Sequence, residues 1–86
     1  MMYRRGRRFE YKVKKYLEGK GYTVLRCAAS KPVDLVAIKD GRAILIECKT
    51  RETKKIPEKL VKLSKESGAD VLVFTPSSLA RRVKRA

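Results

Sequence analysis

Residues 33–49 read VDLVAIKDGRAILIECK and predict a β-hairpin. Two apolar runs flank Asp40 and Gly41, a dipeptide that favours a two-residue turn because both central positions require positive φ. Antiparallel pairing of Lys39 with Arg42 across this turn would set the register of the whole hairpin. The further pairs that this register predicts are Ile38 with Ala43, Val36 with Leu45, and Asp34 with Glu47.

Two carboxylates and an amine are predicted to meet at the far end of this hairpin. Asp34 would lie opposite Glu47, and Lys49 would leave the same face as Glu47 because strand side chains alternate. Directly opposed carboxylates repel one another unless a cation neutralises them. The alternatives are therefore a structural salt bridge to Lys49 and a metal site, and the repulsion favours the metal.

A magnesium ion suits these residue types. Mg²⁺ binds oxygen ligands and keeps several of its waters, so two carboxylates, a backbone carbonyl and a phosphate can complete its shell. Asp34, Glu47 and the carbonyl of Cys48 are the predicted ligands, with Mn²⁺ as a substitute. The amine of Lys49 could orient or help deprotonate an attacking water. This combination of groups is typical of phosphodiester hydrolysis.

Length and charge limit the possible functions. The 86 residues support one domain, residues 1–86, and carry a formal net charge of +14. Residues 1–31 hold ten basic side chains against Glu10 and Glu18. Such one-sided charge favours a polyanionic partner, and nucleic acid is preferred to a merely solvated cationic surface or to a membrane.

The start of the chain leads to an expectation about location. Positive residues at 4 and 5 are followed by no apolar stretch, so no secretory signal is expected. No run approaches the ~20 apolar residues that span a bilayer. We therefore expect a cytoplasmic protein that acts on DNA.

The remaining pattern predicts an α/β fold. The elements expected in chain order are a helix over residues 6–20, strands over 22–27, 34–38 and 43–49, a helix over 57–67, a strand over 70–74 and a basic helix over 77–85 capped by Ser77. Strands that are apolar on both faces need helices on both sides. The prediction is an α/β/α sandwich with an αβββαβ core around a mixed sheet, in which residues 78–86 belong to a basic C-terminal helix.

Four pieces of the sequence, in this order, resemble the PD-(D/E)xK nucleases, and within them the archaeal Holliday junction resolvases. The pieces are Tyr3-Arg4-Arg5-Gly6, Glu10, Ser30-Lys31-Pro32-Val33-Asp34-Leu35-Val36-Ala37, and Ile46-Glu47-Cys48-Lys49. The resemblance implies a restriction-endonuclease-like fold and a Mg²⁺-dependent homodimer that cuts four-way DNA junctions through two symmetry-related sites. Members of that family usually continue past the fourth strand with further sheet that helps to build the dimer. Here a basic segment follows instead.

The resemblance also implies roles for single residues. Glu10 would reach the metal site from the first helix, and Ser30 would act near the scissile phosphate. From the residues alone, Glu10 could equally form an intrahelical pair with Lys14, and Ser30 could cap local backbone. The basic residues expected to hold the DNA backbone are Arg4, Arg5, Arg7, Arg8, Lys31 and Arg51.

Two other functions fit the same sequence features. One is a nuclease of this fold that acts on DNA ends or single strands. The other is a nucleic-acid-binding module that keeps the fold without catalysis. Both would share the basic surface, so binding does not separate them from the resolvase interpretation. The choice of DNA substrate separates the other nuclease, and cleavage separates the binding module.

Overall fold

The computed structural model describes residues 2–28 and 31–85, with side chains for residues 6–28 and 31–83. The elements are α1 (Met2–Gly19), β1 (Thr23–Arg26), β2 (Leu35–Lys39), β3 (Arg42–Cys48), α2 (Glu58–Ser67), β4 (Asp70–Phe74) and α3 (Pro76–Arg85). The strands form one sheet in the order β1-β2-β3-β4. The first three are antiparallel, and β4 runs parallel to β3 after the α2 crossover.

The hairpin forms in the predicted register. Asp40 and Gly41 occupy the turn with φ values of 52° and 76°. Lys39 pairs with Arg42, and regular pairing of β2 with β3 continues as far as Leu35, opposite Ile46. The turn chemistry therefore decides which residues of both central strands share a face.

The two faces of the sheet are covered by different helices. Residues at alternate positions of the strands pack with α1 and Leu79 of α3 in one buried cluster, which contains Phe9, Val13, Leu17, Val24, Leu35, Ala37, Ile46 and Phe74. Glu47 follows Ile46 and so points to the opposite face, where Lys59 of α2 reaches it. The predicted α/β/α sandwich around a mixed sheet is confirmed. None of the described helices is long and apolar enough to cross a membrane.

The start of α3 differs from the prediction that Ser77 caps it. The helix begins at Pro76, so the capping residue is Thr75, whose Oγ1 accepts a hydrogen bond from the Ser78 N–H at 3.3 Å. In return, the Oγ of Ser78 accepts one from the Thr75 N–H at 2.7 Å. This reciprocal pair is a capping box. Ser77 instead donates to the Glu52 carboxylate from its N–H at 2.9 Å and its hydroxyl at 2.7 Å.

The other elements differ from prediction only at their ends. The helix α1 begins at Met2, four residues before the predicted start, and β1 is limited to Thr23–Arg26. Pro57 precedes α2 as its N-cap residue, with φ −55° and ψ 141°, rather than lying in its first turn. Gly68 ends α2 as predicted.

Gly68 provides a test of how α2 ends. It has a φ of 75°, and its N–H donates to Ser64 O at 2.8 Å. We expect Gly68→Ala to lower the free energy of unfolding by about 1 kcal/mol, because a Cβ disfavours the left-handed conformation. Gly6→Ala, inside α1 with open space around the added Cβ, should raise it by about 0.5–1 kcal/mol. Urea unfolding of both variants measures the difference, and a shift of the same sign in both would contradict this account of the cap.

Candidate active site

Asp34 lies where regular pairing of the hairpin stops. Its N–H donates to the carbonyl of Ile46 at 3.1 Å, although Ile46 is the strand partner of Leu35. Two residues of one strand thus lie opposite one residue of the other, as at a β-bulge, which redirects the side chain. The predicted direct pairing of Asp34 with Glu47 is therefore corrected. The Asp34 carboxylate instead accepts a hydrogen bond from the Cys48 N–H at 2.7 Å through Oδ2.

Glu47 is a buried acid of the site with one carboxylate oxygen unpaired among the described residues. The residue is only 5% exposed, and its Oε2 lies 3.4 Å from the amines of both Lys49 and Lys59. Its Oε1 is buried and finds no hydrogen-bond partner in the described part of the chain. A buried carboxylate oxygen without a partner is energetically costly, and a bound cation would relieve that cost.

Glu10 approaches from the other side of the sheet, on α1. Its Oε1 lies 3.5 Å from Nη2 of Arg26, on β1. Burial raises the pKa of Glu10 and the nearby charge of Asp34 raises it further, whereas Arg26 lowers it. Lys14, the alternative partner considered above, pairs with Glu18 at 2.8 Å. Glu10 therefore lies close enough to Asp34 for the two acids to interact.

Cys48 lies among these acids. Burial raises the pKa of its thiol, and the charges of Asp34, Glu10 and Glu47 raise it further. The thiol accordingly stays protonated and is a poor nucleophile. Its position also shows that all three carboxylates lie around one strand end.

The three acids are suitable ligands for a hard divalent ion, although their side chains do not form a preformed coordination site. Among the described residues, no three side chains of Asp, Glu, His or Cys form a metal-holding group. Glu10 pairs with Arg26 and also interacts with Asp34, Asp34 accepts from the Cys48 amide, and Glu47 pairs with the two lysines. All three acids offer oxygen ligands, which Mg²⁺ and Mn²⁺ prefer. Glu47 Oε1 and the repulsion between Glu10 and Asp34 are the two features that a cation would relieve.

An open basic cleft adjoins the acids. It has a volume of about 380 Å³ and is lined by Lys49, Thr50, Arg51, Glu52, Thr53, Lys55 and Pro57. Arg51, predicted to bind DNA, therefore lies beside the site. Arg7, Arg8 and Lys31 are exposed. The side chains of Arg4 and Arg5, and the whole of Ser30, lie outside what the structure describes.

Lys59 and Arg26 are the two site residues that the sequence motifs did not indicate. Lys59 is one of many lysines in a basic helix, and only the packing of α2 on the sheet brings it to Glu47. Arg26 lies two residues after buried Val24 on β1 and so shares its face, which could be inferred, but the partner of Arg26 on α1 could not.

The comparisons with known proteins agree on one family. The family model described as archaeal Holliday junction resolvase (Hjc) matches residues 1–82. A protein named crossover junction endodeoxyribonuclease Hjc, from Methanocaldococcus jannaschii, is 48% identical over 48 residues, which cover 56% of this chain and 36% of that protein.

A solved structure shows the same architecture. The structure of Archaeoglobus fulgidus Hjc, described as a Holliday junction resolvase from an archaeal hyperthermophile, matches with a TM-score of 0.63 and 30% identity. The match covers 83% of this chain and 65% of that one, so this chain spans less than two-thirds of either relative. The restriction-endonuclease-like fold predicted from the motifs is confirmed. From the match over residues 1–82, this chain belongs to the archaeal Holliday junction resolvase family.

Proposed function

We propose that this chain is a metal-dependent endodeoxyribonuclease that resolves four-way DNA junctions by phosphodiester hydrolysis, within DNA recombination and repair. The observation that carries the proposal is Glu47, a buried carboxylate beside Asp34 and Lys49, with one oxygen lacking a partner among the described residues. Membership in a resolvase family supports the choice of substrate. Residues 1–86 act as one nuclease domain inside the cell, and its basic C-terminal helix is α3 (Pro76–Arg85).

Nucleases of this class generally depend on a divalent metal. Here the ion is Mg²⁺, with Mn²⁺ as a substitute, and its ligands are Asp34, Glu47, Glu10 and the carbonyl of Cys48. When bound, such an ion lowers the pKa of a coordinated water and neutralises charge on the phosphoryl oxygens. The contacts that Asp34 and Glu47 make with the Cys48 amide and the two amines keep both acids oriented in the free protein.

The protein's own cations complete the reaction site. Lys49 is 43% exposed, so its amine can leave Glu47 and orient the attacking water or hold the scissile phosphate. Ser30, which follows the described β1 region, contributes near the same phosphate. The residues that hold the DNA backbone are Arg4, Arg5, Arg7, Arg8, Lys31 and Arg51.

We further propose a homodimer, because a four-way junction presents two equivalent strands and a two-fold dimer presents two identical sites. An apolar face suited to a second copy lies on the sheet, opposite α1. Leu25 and Val36 are strand partners on this face, and Ile38, two residues after Val36, shares it. Leu25 is 52% exposed and Ile38 36% exposed, so α2 leaves this part of the sheet uncovered.

Removal of one acid tests catalysis. We expect Asp34→Asn and Glu47→Gln each to lower the cleavage rate at least about a hundredfold, because each removes a charged metal ligand. Binding of DNA should be kept or tightened, since repulsion of phosphate falls. Gel assays of junction cleavage and anisotropy of labelled DNA measure the two effects. Glu66→Gln, an exposed acid on α2, is the control and should cleave normally. Unchanged cleavage by both site variants would identify a non-catalytic binding module.

The choice of DNA substrate tests junction selectivity. Purified protein with Mg²⁺ should cut a four-way junction faster than the matched duplex or single strand. Chelation should stop the cutting, and Mn²⁺ should restore it. Equal cutting of all three substrates, or preference for ends or single strands, would instead indicate another nuclease of this fold.

Charge placed on the apolar face tests the dimer. Leu25→Asp should give a monomer by size-exclusion chromatography with light scattering, because an aspartate would be buried without a partner at the interface. Val83→Asp is the control, since Val83 is 53% exposed on α3, away from this face. A monomeric parent protein, or the same mass for all three proteins, would contradict the proposed interface.

A further inference from the structure

A second amine reaches the buried acid of the candidate site. Nζ of Lys59 lies 3.4 Å from Oε2 of Glu47, the same distance as Nζ of Lys49 and to the same oxygen. Lys59 comes from α2, whereas Asp34, Glu47 and Lys49 all belong to the hairpin region. Its side chain is 56% exposed, so the amine meets solvent as well as Glu47.

The stability of α2 does not account for this placement. Lys59 lies in the first turn of the helix, where the partial positive charge of the helix end disfavours a cation and favours an acid such as Glu58. An ion pair with an exposed lysine stabilises a protein only weakly. Lys49 already supplies one positive charge to Glu47. The position of Lys59 beside Glu47 is therefore not explained by stability.

The charges of the site supply an explanation. Arg26 pairs with Glu10, and Lys49 and Lys59 both pair with Glu47. With Asp34 beside Glu10, the formal charges of three acids and three cations sum to zero in the free protein. A divalent ion at the acids would leave the site with an excess of two positive charges. A DNA strand carries one negative charge per phosphate, so bound phosphates can restore the balance.

We propose that Lys59 is a DNA-contacting residue of the active site, whose amine neutralises Glu47 in the free protein and binds a phosphate of the DNA strand once a metal ion neutralises Glu47. The inference rests on the proposed nuclease function and adds a substrate contact from α2 to it. The exposure of the side chain and its long flexible stem allow the amine to turn from Glu47 to a phosphate without movement of the helix.

A double-mutant experiment separates a phosphate contact from a merely structural partner of Glu47. In a Glu47→Gln protein the acid is neutral and cleavage is blocked, so affinity for an intact labelled junction can be measured with Mg²⁺ present. If Lys59 acts only through Glu47, adding Lys59→Gln to this protein leaves the affinity for the junction and its salt dependence unchanged. If it contacts phosphate, we expect affinity to fall about tenfold, and the dependence of log affinity on log salt to lose about 0.9 in slope.

The matched control is Lys62→Gln in the same Glu47→Gln protein. Lys62 is exposed on the same helix, three residues after Lys59, and carries the same charge without an ion pair to Glu47, so its loss should lower affinity no more than about twofold. Lys59→Arg should keep the affinity, because arginine also binds phosphate. Thermal unfolding of each protein confirms the fold.

Two failures of this experiment are distinguishable. Equal affinity losses for the Lys59 and Lys62 variants, or an unchanged salt slope, would overturn the role of Lys59 whether or not the parent protein cleaves DNA. Absence of cleavage by the parent protein would overturn the proposed function, while the affinity comparison would still decide whether Lys59 contacts DNA.

Discussion

The tight turn at Asp40 and Gly41 is the constraint on which the rest of the structure depends. Because the turn holds only two residues at positive φ, it sets the register of β2 against β3. That register places Leu35 and Ile46 toward α1 and places Glu47 toward α2. A slip of one residue would exchange the two faces, burying Glu47 under α1 and removing the apolar core from that side.

The candidate site lies where the regular pairing of β2 with β3 ends. A bulge at Asp34 turns its carboxylate so that it accepts a hydrogen bond from the Cys48 N–H. The backbone of the neighbouring strand thus holds this acid. Glu10 reaches Asp34 from the α1 side, and Glu47 faces α2. Acids from both sides of a sheet can approach one another only at the end of its strands. This explains why the chemistry is concentrated there rather than over the middle of a face.

The acids are balanced by cations that also come from different elements. Arg26 on β1 pairs with Glu10, and Lys49 after β3 and Lys59 on α2 both pair with Glu47. A site neutralised in this way can be stable without a metal ion and become strongly attractive to DNA when one binds. The family membership and the proposed cleavage of junctions are consistent with such a site. The match with the Methanocaldococcus jannaschii relative spans 36% of that protein.

The sequence by itself determined the hairpin, the order of elements and the family, because these depend on contacts between near neighbours in the chain and on motif spacing. The same motif spacing predicts Asp34, Glu47 and Lys49 as site residues. The sequence predicted the end of α2 at Gly68 correctly for the same reason. It did not show the bulge at Asp34, the cap of α3 at Thr75 with Glu52 bound to Ser77, or the approach of Arg26 and Lys59 to the acids. The bulge and these approaches depend on how strands and helices pack together, and many lysines and arginines in the chain have the same local pattern. Only the tertiary structure decides which of them meets a carboxylate.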